Sequence, residues 1–373
     1  MLPPRPQRAT VRLFRARTAD PTRVGRLNCD PPSRFPEKPD EDIPGPVVTT
    51  VAVRVLVDRD GIAHSVEITV DGGERAGWLA VAIMTTTPEV ARGLGRIVTL
   101  PPAGPGQFGP AHTVVEVLAG ESYGDTDPFI LLMDDRIDGT PMGGAHPHAG
   151  FETVTLMLEG VLKHDHGEVK PGGMQWMTAG SGVTHGEALE APGSGRARLL
   201  QLWLTLPKAA RWAPPGVQDQ DYEDLPVRRE PGVEVRVYSG RSGGVVSKTL
   251  NHVPVTMVEL RLEPGASVSQ ELPASFNGFF YVLEGEIAVG SESQTLRPGQ
   301  VGWLDRPAHR EPSAVRVTGT GPQAARVILY AGEPQGDPLV SWGPFIGDTQ
   351  ADIARVSAEY RAGKYGPPPP RVP

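Results

Sequence analysis

At 373 residues the chain exceeds one average domain and suits two with extensions, each long enough to bury its own core. A formal net charge of −8 argues against nucleic acid as a direct partner, because neutralising phosphates needs a basic surface. No run approaches about 18 apolar residues, which argues against a transmembrane helix, and abundant Gly (45) and Pro (40) favour turn-rich β architecture over helical bundles.

Residues 1–46 form a Pro- and Arg-rich lead that is expected to be disordered. It holds the single cysteine, Cys29, so no intrachain disulfide is expected. The lead has seven Arg and one Asp up to Asn28 and lacks the apolar core of a secretory signal. Basic residues are almost all Arg, with six Lys in the chain. That bias, beside abundant Gly, Ala and Pro, is that of a high-GC genome, and the expected location is cytoplasmic. VTTVAVRVLVD and HSVEITVD, joined by Arg59-Asp60-Gly61, read as a hairpin, because apolar alternation flanks an Asp-Gly turn. GWLAVAIMTTTPEVARGLGRIVTL suggests a strand and a short helix starting near Pro88, so residues 47–105 are expected as a small α/β extension packed as an appendage.

From His112 onward strand signals dominate, in HTVVEVL, PFILLMDD, FETVTLMLEG, GGMQWMTAG and ARLLQLWLTL, with turn clusters between them. The theme returns in TMVELRLEPG, NGFFYVLEGEIAVG, QTLRPGQVGWLD and ARVILYAGEP. LMLEGVLKHD with KPGGMQWM (156–165 and 170–177) parallels YVLEGEIAVG with RPGQVGWL (281–290 and 297–304). Each reads strand, LEG turn, strand, PG turn, strand, an internal duplication of one β-barrel unit. One barrel is expected over 106–225 and the other over 226–366. TQADIARVSAEYRAGKYG has apolar residues at helical spacing and should close the fold as a helix, followed by a frayed PPPPRVP tail.

Five of the nine histidines fall between 146 and 185. His146 and His148, in HPHAGFETVTLMLEG, and His185 and Glu187, in AGSGVTHGEALE, are each spaced i, i+2. On a strand that spacing puts both side chains on one face. Two such strands can close three imidazoles and one carboxylate around a single ion. That set suits iron, copper, nickel or manganese better than a closed structural zinc site, which favours thiolates. His164 and His166 share the spacing in the loop LKHDHGEVKPG but read as exposed turn residues, since four ligands already complete a site. Trp176 and Met177 read as packing that walls the pocket. The second half has Phe276 and Asn277 where the first has its His pair, and its only His on the following strands is His309, so no metal is expected there.

The strand–LEG–strand–PG–strand unit, with His-x-His before it and a His after it, resembles the cupin jelly roll, twice over. More narrowly, HPHAGFETVTLMLEG, PGGMQWMTAGSGVTHGE and LLQLWLTLP are similar to the pirin family. EPGASVSQELPASFNGFFYVLEGE and GDPLVSWGPFIGDTQADIARVSAEYRAGKYG are similar to its second barrel and closing helix. The resemblance spans about residues 112–366. It implies a mainly β fold, two cupin-type barrels packed together with a C-terminal helix. It also implies one ion, Fe(2+) before other metals, in the first barrel, held by His146, His148, His185 and Glu187. The implied activity is that of a quercetin 2,3-dioxygenase-like oxidoreductase, with a polyphenol and dioxygen as partners and Glu187 as catalytic base. The alternative it implies is a non-enzymatic, iron-dependent redox sensor that binds a protein partner. A monomer without membrane or direct nucleic-acid contact is expected. Ala149 and Ser181 stand where the family usually has Arg, and the loop after the LEG turn is short; both should leave the pocket mouth less positive and more open.

Overall fold

The computed structural model describes residues 50–57, 63–71, 90–107, 109–118, 122–139, 142–193, 195–307 and 312–370. The chain divides into two compact units, Met1–Ile83 and Met84–Pro373. The described part of the first is an antiparallel pair, Thr50–Val57 with Ala63–Asp71, in the register Thr50↔Asp71. The expected hairpin strands are therefore present. The Asp60-Gly61 turn and the lead over 1–46 lie outside the described residues.

The second unit is mainly β, and its strands form two jelly-roll barrels of the cupin kind. In the first barrel a seven-stranded sheet runs in the order Gly216–Gln220, Met174–Thr178, Phe151–Glu159, Arg196–Thr205, Phe129–Asp138, His112–Leu118, Gly104–Pro105. Its companion has four strands, Gly167–Val169, Val161–His164, Val183–Glu190, Met142–His148. The second barrel repeats the plan. Its seven-stranded sheet runs Val227–Glu230, Val233–Ser239, Val255–Leu262, Ala325–Gly332, Asn277–Glu284, Gln300–Leu304, Leu94–Thr99. Its five-stranded sheet is built on Ser267–Pro273, Pro312–Gly319, Ile287–Val289 and Gln294–Leu296, with Val90–Arg92 added parallel to Pro312–Gly319.

The period of two along each strand explains how the barrels meet. In Phe151–Glu159, Val154 and Leu156 join one large core, whereas Thr153 and Thr155 face a cavity inside the first barrel. In Arg196–Thr205, Leu200, Leu202 and Leu204 go to the core, and Leu199, Gln201 and Trp203 to the cavity. The second barrel meets them with Met257, Phe279, Tyr281, Ile328 and Tyr330 in the same core. Its other face, with Val258, Leu260, Phe280, Val282, Val327 and Leu329, fills its own interior. The two seven-stranded sheets are thus the facing layers, largely apolar on the shared side as in stacked sheets. Buried polar contacts also cross this seam: the Asp134 carboxylate accepts from Tyr281 Oη at 2.8 Å and from Arg198 at 2.8 Å, and Tyr238 Oη donates to Gly172 O at 2.9 Å. Burial pushes Asp134 up, but hydrogen bonds from Arg198, Arg136 and Tyr281 outweigh it and hold the group below its ordinary value.

The structure corrects three expectations. No helix runs from near Pro88 over the described residues, and 47–105 is not one appendage. Val90–Arg92 and Leu94–Thr99 are strands of the second barrel, and Gly104–Pro105 pairs with the first. Gly93 and Gly95 with β-branched Ile97 and Val98 disfavour helix, and Leu94, buried in the second barrel's core, rewards the strand. The C-terminal tail is also not frayed as far as Pro370: Gly366 O accepts from Thr184 N, and Pro369 O from Val217 N, at 2.9 Å each. The closing helix Gln350–Arg361 is present, started by a capping box of Thr349 and Asp352. Ile353 and Val356 on that helix bury against Ala149 and Phe345.

The added strand should matter to stability. Leu94→Ala is expected to cost about 2–5 kcal/mol, the range for a truncated buried leucine. Ile97→Ala on the same strand, where the side chain is 40% exposed, should stay within about 0.5 kcal/mol. Equal losses in chemical denaturation would show that the strand contributes no core.

Candidate metal centre

Met142–His148 and Val183–Glu190 run antiparallel in a register that places His146 opposite His185, His148 opposite Val183, and Gly144 opposite Glu187. Residues directly opposite share a face, and so do residues two apart along one strand. Pairing alone therefore gathers His146, His148, His185 and Glu187 on the inner side. Gly143 permits the approach: its φ is +140°, and a Cβ there would come 1.9 Å from Glu187 O. From the other sheet, Phe151 and Trp203 pack on His148, with ring centroids at 5.2 and 5.5 Å.

The three imidazoles bring ligand nitrogens within 4.8 Å of one another. His146 Nε2 and His185 Nε2 are 3.0 Å apart, and His146 Nδ1 is 3.0 Å from Gly144 O. The Glu187 carboxylate lies 3.8 Å from His146 Nε2 and 3.6 Å from His185 Nδ1. His148 and His185 are buried, whereas the His146 side chain is 39% exposed, which leaves one edge of the cluster open. Burial, reinforced by His146, pulls His185 down to about 3. Burial, then the neighbouring His185 and His146, holds His148 well below its ordinary value. Both rings are uncharged at neutral pH, the state in which imidazole binds metal. Burial also pushes Glu187 above the usual carboxylate range, against the weaker pull of His146 and His164.

These residues stand at the wall of a cavity of about 730 Å³. Leu131, Met133, Leu199 and Trp203 give it an apolar lining, and Thr153, Thr155 and Gln201 add polar points. The donor set fits a transition metal. The three rings converge, a carboxylate stands beside two of them, and His148 Nδ1 is buried with no hydrogen-bond partner. An ion in their midst would give the converging imidazole lone pairs the partner that the surrounding side chains do not supply.

The sequence-derived ligands are thus brought together, His146, His148 and His185 tightly and Glu187 at their edge. Other readings change. His164 is no exposed turn residue: its side chain is 3% exposed and pairs with Asp219 at 3.2 Å. Val161–His164 pairs with the ligand strand, His164 opposite Glu187, and that turns the ring inward. His166 is exposed and contacts Pro368 O at 2.5 Å. Trp176 and Met177 are buried but do not line the cavity; Trp176 belongs to the core between barrels, and Trp203 holds the pocket position instead. Ala149 is buried against Phe345 and the closing helix, and neither it nor Ser181 lines the cavity, so their lost guanidiniums do not shape its wall. In the second barrel Phe276 is core and Asn277 donates to Asp125 O and Asp127 O. His309 lies outside the described residues. Sequence reading missed His112, Asp135, Gly343 and Pro344, which also line the cavity; no local spacing ties them to the histidine pairs.

The Pirin family model matches residues 112–204, and the Pirin C-terminal cupin domain model matches residues 257–366. Pirin of Homo sapiens is 35% identical over 251 residues, covering 64% of this chain and 83% of that protein. The Pirin-like protein of Solanum lycopersicum is 33% identical over 245 residues, covering 64% and 82%. Among solved structures, GK1651 from Geobacillus kaustophilus superposes with a TM-score of 0.61 at 39% identity, over 67% of this chain and 99% of that one. Quercetin 2,3-dioxygenase from Acinetobacter baumannii gives a TM-score of 0.62 at 24% identity, over 74% and 99%, a likeness of fold.

Two outcomes check the site. His148→Ala and His185→Ala should each abolish uptake of one transition metal per chain in elemental analysis, while His166→Ala binds as wild type. Second, the metal-free protein should lose stability on acidification. The folded His185 sits near 3 against an ordinary 6.5, so between those values the unfolded chain binds more protons and stability falls with pH. Constant stability across that window, read by thermal melts, would show that the rings are not buried as neutral groups.

Proposed function

Since the chain belongs to the pirin family, we propose that it is a metal-dependent dioxygenase of flavonol-like polyphenols, holding one iron ion through His146, His148, His185 and Glu187. The observation that carries this reading is a converging three-histidine cluster at the wall of a predominantly apolar cavity of about 730 Å³, large enough for a fused-ring phenol. When bound, the ion supplies a Lewis acid that lowers the pKa of a phenolic hydroxyl, together with redox chemistry toward dioxygen. The histidines position that hydroxyl beside Glu187. Glu187 stands beside His146 and His185 and offers a carboxylate Oε atom suited to accept the phenolic proton. Leu131, Met133 and Trp203 pack the flat rings and exclude water from the reacting edge.

Anaerobic iron loading followed by oxygen uptake with quercetin tests the reading. Wild type should consume oxygen, and Glu187→Gln, which keeps shape but removes basicity, should retain iron and lose turnover by roughly 10²–10⁴-fold, the scale of general-base catalysis. If iron-loaded wild type takes up no oxygen across several flavonols, the dioxygenase reading fails and the redox-sensor alternative replaces it. The next measurement is then partner capture by ferrous against ferric protein.

A further inference from the structure

The cavity holds a second polar group, centred on Asp135, which lies further along Phe129–Asp138 than Leu131, whose partner Trp203 packs on His148. His112 Nε2 and Asp135 Oδ1 are 2.7 Å apart, on the adjacent strands His112–Leu118 and Phe129–Asp138, and both residues line the cavity. The pair is built in. His112 is buried at 3% exposure, and its ring lies so close under Gly106 that a Cβ there would meet Nδ1 at 2.0 Å. Gly106 N in turn donates to His112 O, which fastens the segment carrying Gln107 over the cavity. His112 therefore fixes one oxygen of Asp135. Among the described residues the other oxygen accepts no hydrogen bond, although Asp135 lines the cavity with a side chain only 17% exposed. The neighbouring Asp134 faces the opposite way, into the seam between barrels, where Arg198 and Tyr281 occupy it.

A carboxylate oxygen held still, short of a partner and flanked by Leu131, Met133 and Leu199 recognises a hydrogen-bond donor carried on an apolar body. Carboxylates, phosphates and other anions are disfavoured there by like charge. We propose that Asp135, positioned by His112, is a specificity-determining residue that accepts a hydrogen bond from a ring hydroxyl of the substrate, remote from the oxygen that meets the metal. This rests on the dioxygenase reading for the class of molecule and adds to it a requirement: the substrate is a polyphenol with a free ring hydroxyl at its far end, not a simple hydroxyketone.

Binding to the iron-loaded, full-length protein without oxygen, followed by tryptophan fluorescence quenching, tests this apart from turnover. Quercetin is compared with 3-hydroxyflavone, which keeps the metal-facing group and lacks the other ring hydroxyls. Wild type should prefer quercetin by about tenfold, the scale of one hydrogen bond to a charged group. Asp135→Asn should bring the two within about twofold while iron content stays unchanged. Equal affinities in wild type overturn the proposal, and that comparison needs no variant. A preference that survives intact in folded Asp135→Asn overturns it as well. The two readings fail differently. Preference without oxygen uptake removes the dioxygenase and keeps the Asp135 contact. Oxygen uptake with both flavonols at equal affinity removes the Asp135 contact and keeps the dioxygenase.

Discussion

The register between Met142–His148 and Val183–Glu190 is the constraint on which the rest depends. A slip of one residue would turn every side chain to the opposite face and scatter the imidazoles. The register is held from both sides. Gly143 admits the backbone of Glu187, and Val161–His164 pairs with the far edge of the Val183 strand. Beyond it, the tail contributes Gly366 O to Thr184 N, and the hairpin of Val340–Trp342 and Phe345–Gly347 brackets Ala149 through Pro344 O and Ile346 N. The end of the chain thus serves as a brace for the two strands that carry the ligands.

The two barrels share a backbone plan and differ in what fills them. In the second, the inward positions are mainly Leu, Val, Phe and Ile, and they close into a packed apolar core. In the first, the equivalent inward rows carry Thr153, Thr155, Gln201 and Asp135 among apolar neighbours, and space remains. Thr and Gln keep the strand propensity and pleat of the row while giving up packing, so one barrel supplies stability and the other a chamber. The cost of burying polar groups there is met locally, as in the 3.0 Å contact between Thr155 Oγ1 and Gln201 Oε1.

Much of this was legible in the sequence where the signal is local. The i, i+2 pairs named His146, His148, His185 and Glu187, because period-two geometry needs no tertiary knowledge. The LEG and PG turns revealed both barrels for the same reason. Contacts remote in sequence were not legible. ARGLGRIV carries no mark that its partner is Gln300–Leu304, and His112 carries none that it meets Asp135. His164 was misread because its loop composition is polar, whereas its environment is set by Asp219 from another sheet.

The strand Leu94–Thr99 carries one more consequence. It binds the second barrel to a segment that precedes the first, with Gly93 N donating to Asp305 Oδ2 across 212 residues of chain. Closing so long a loop is entropically slow and gains little until both ends are ordered. On a ribosome that edge must wait, unpaired, through synthesis of the whole first barrel. The barrels are therefore interleaved rather than consecutive, and no single cut between them would release two whole folds.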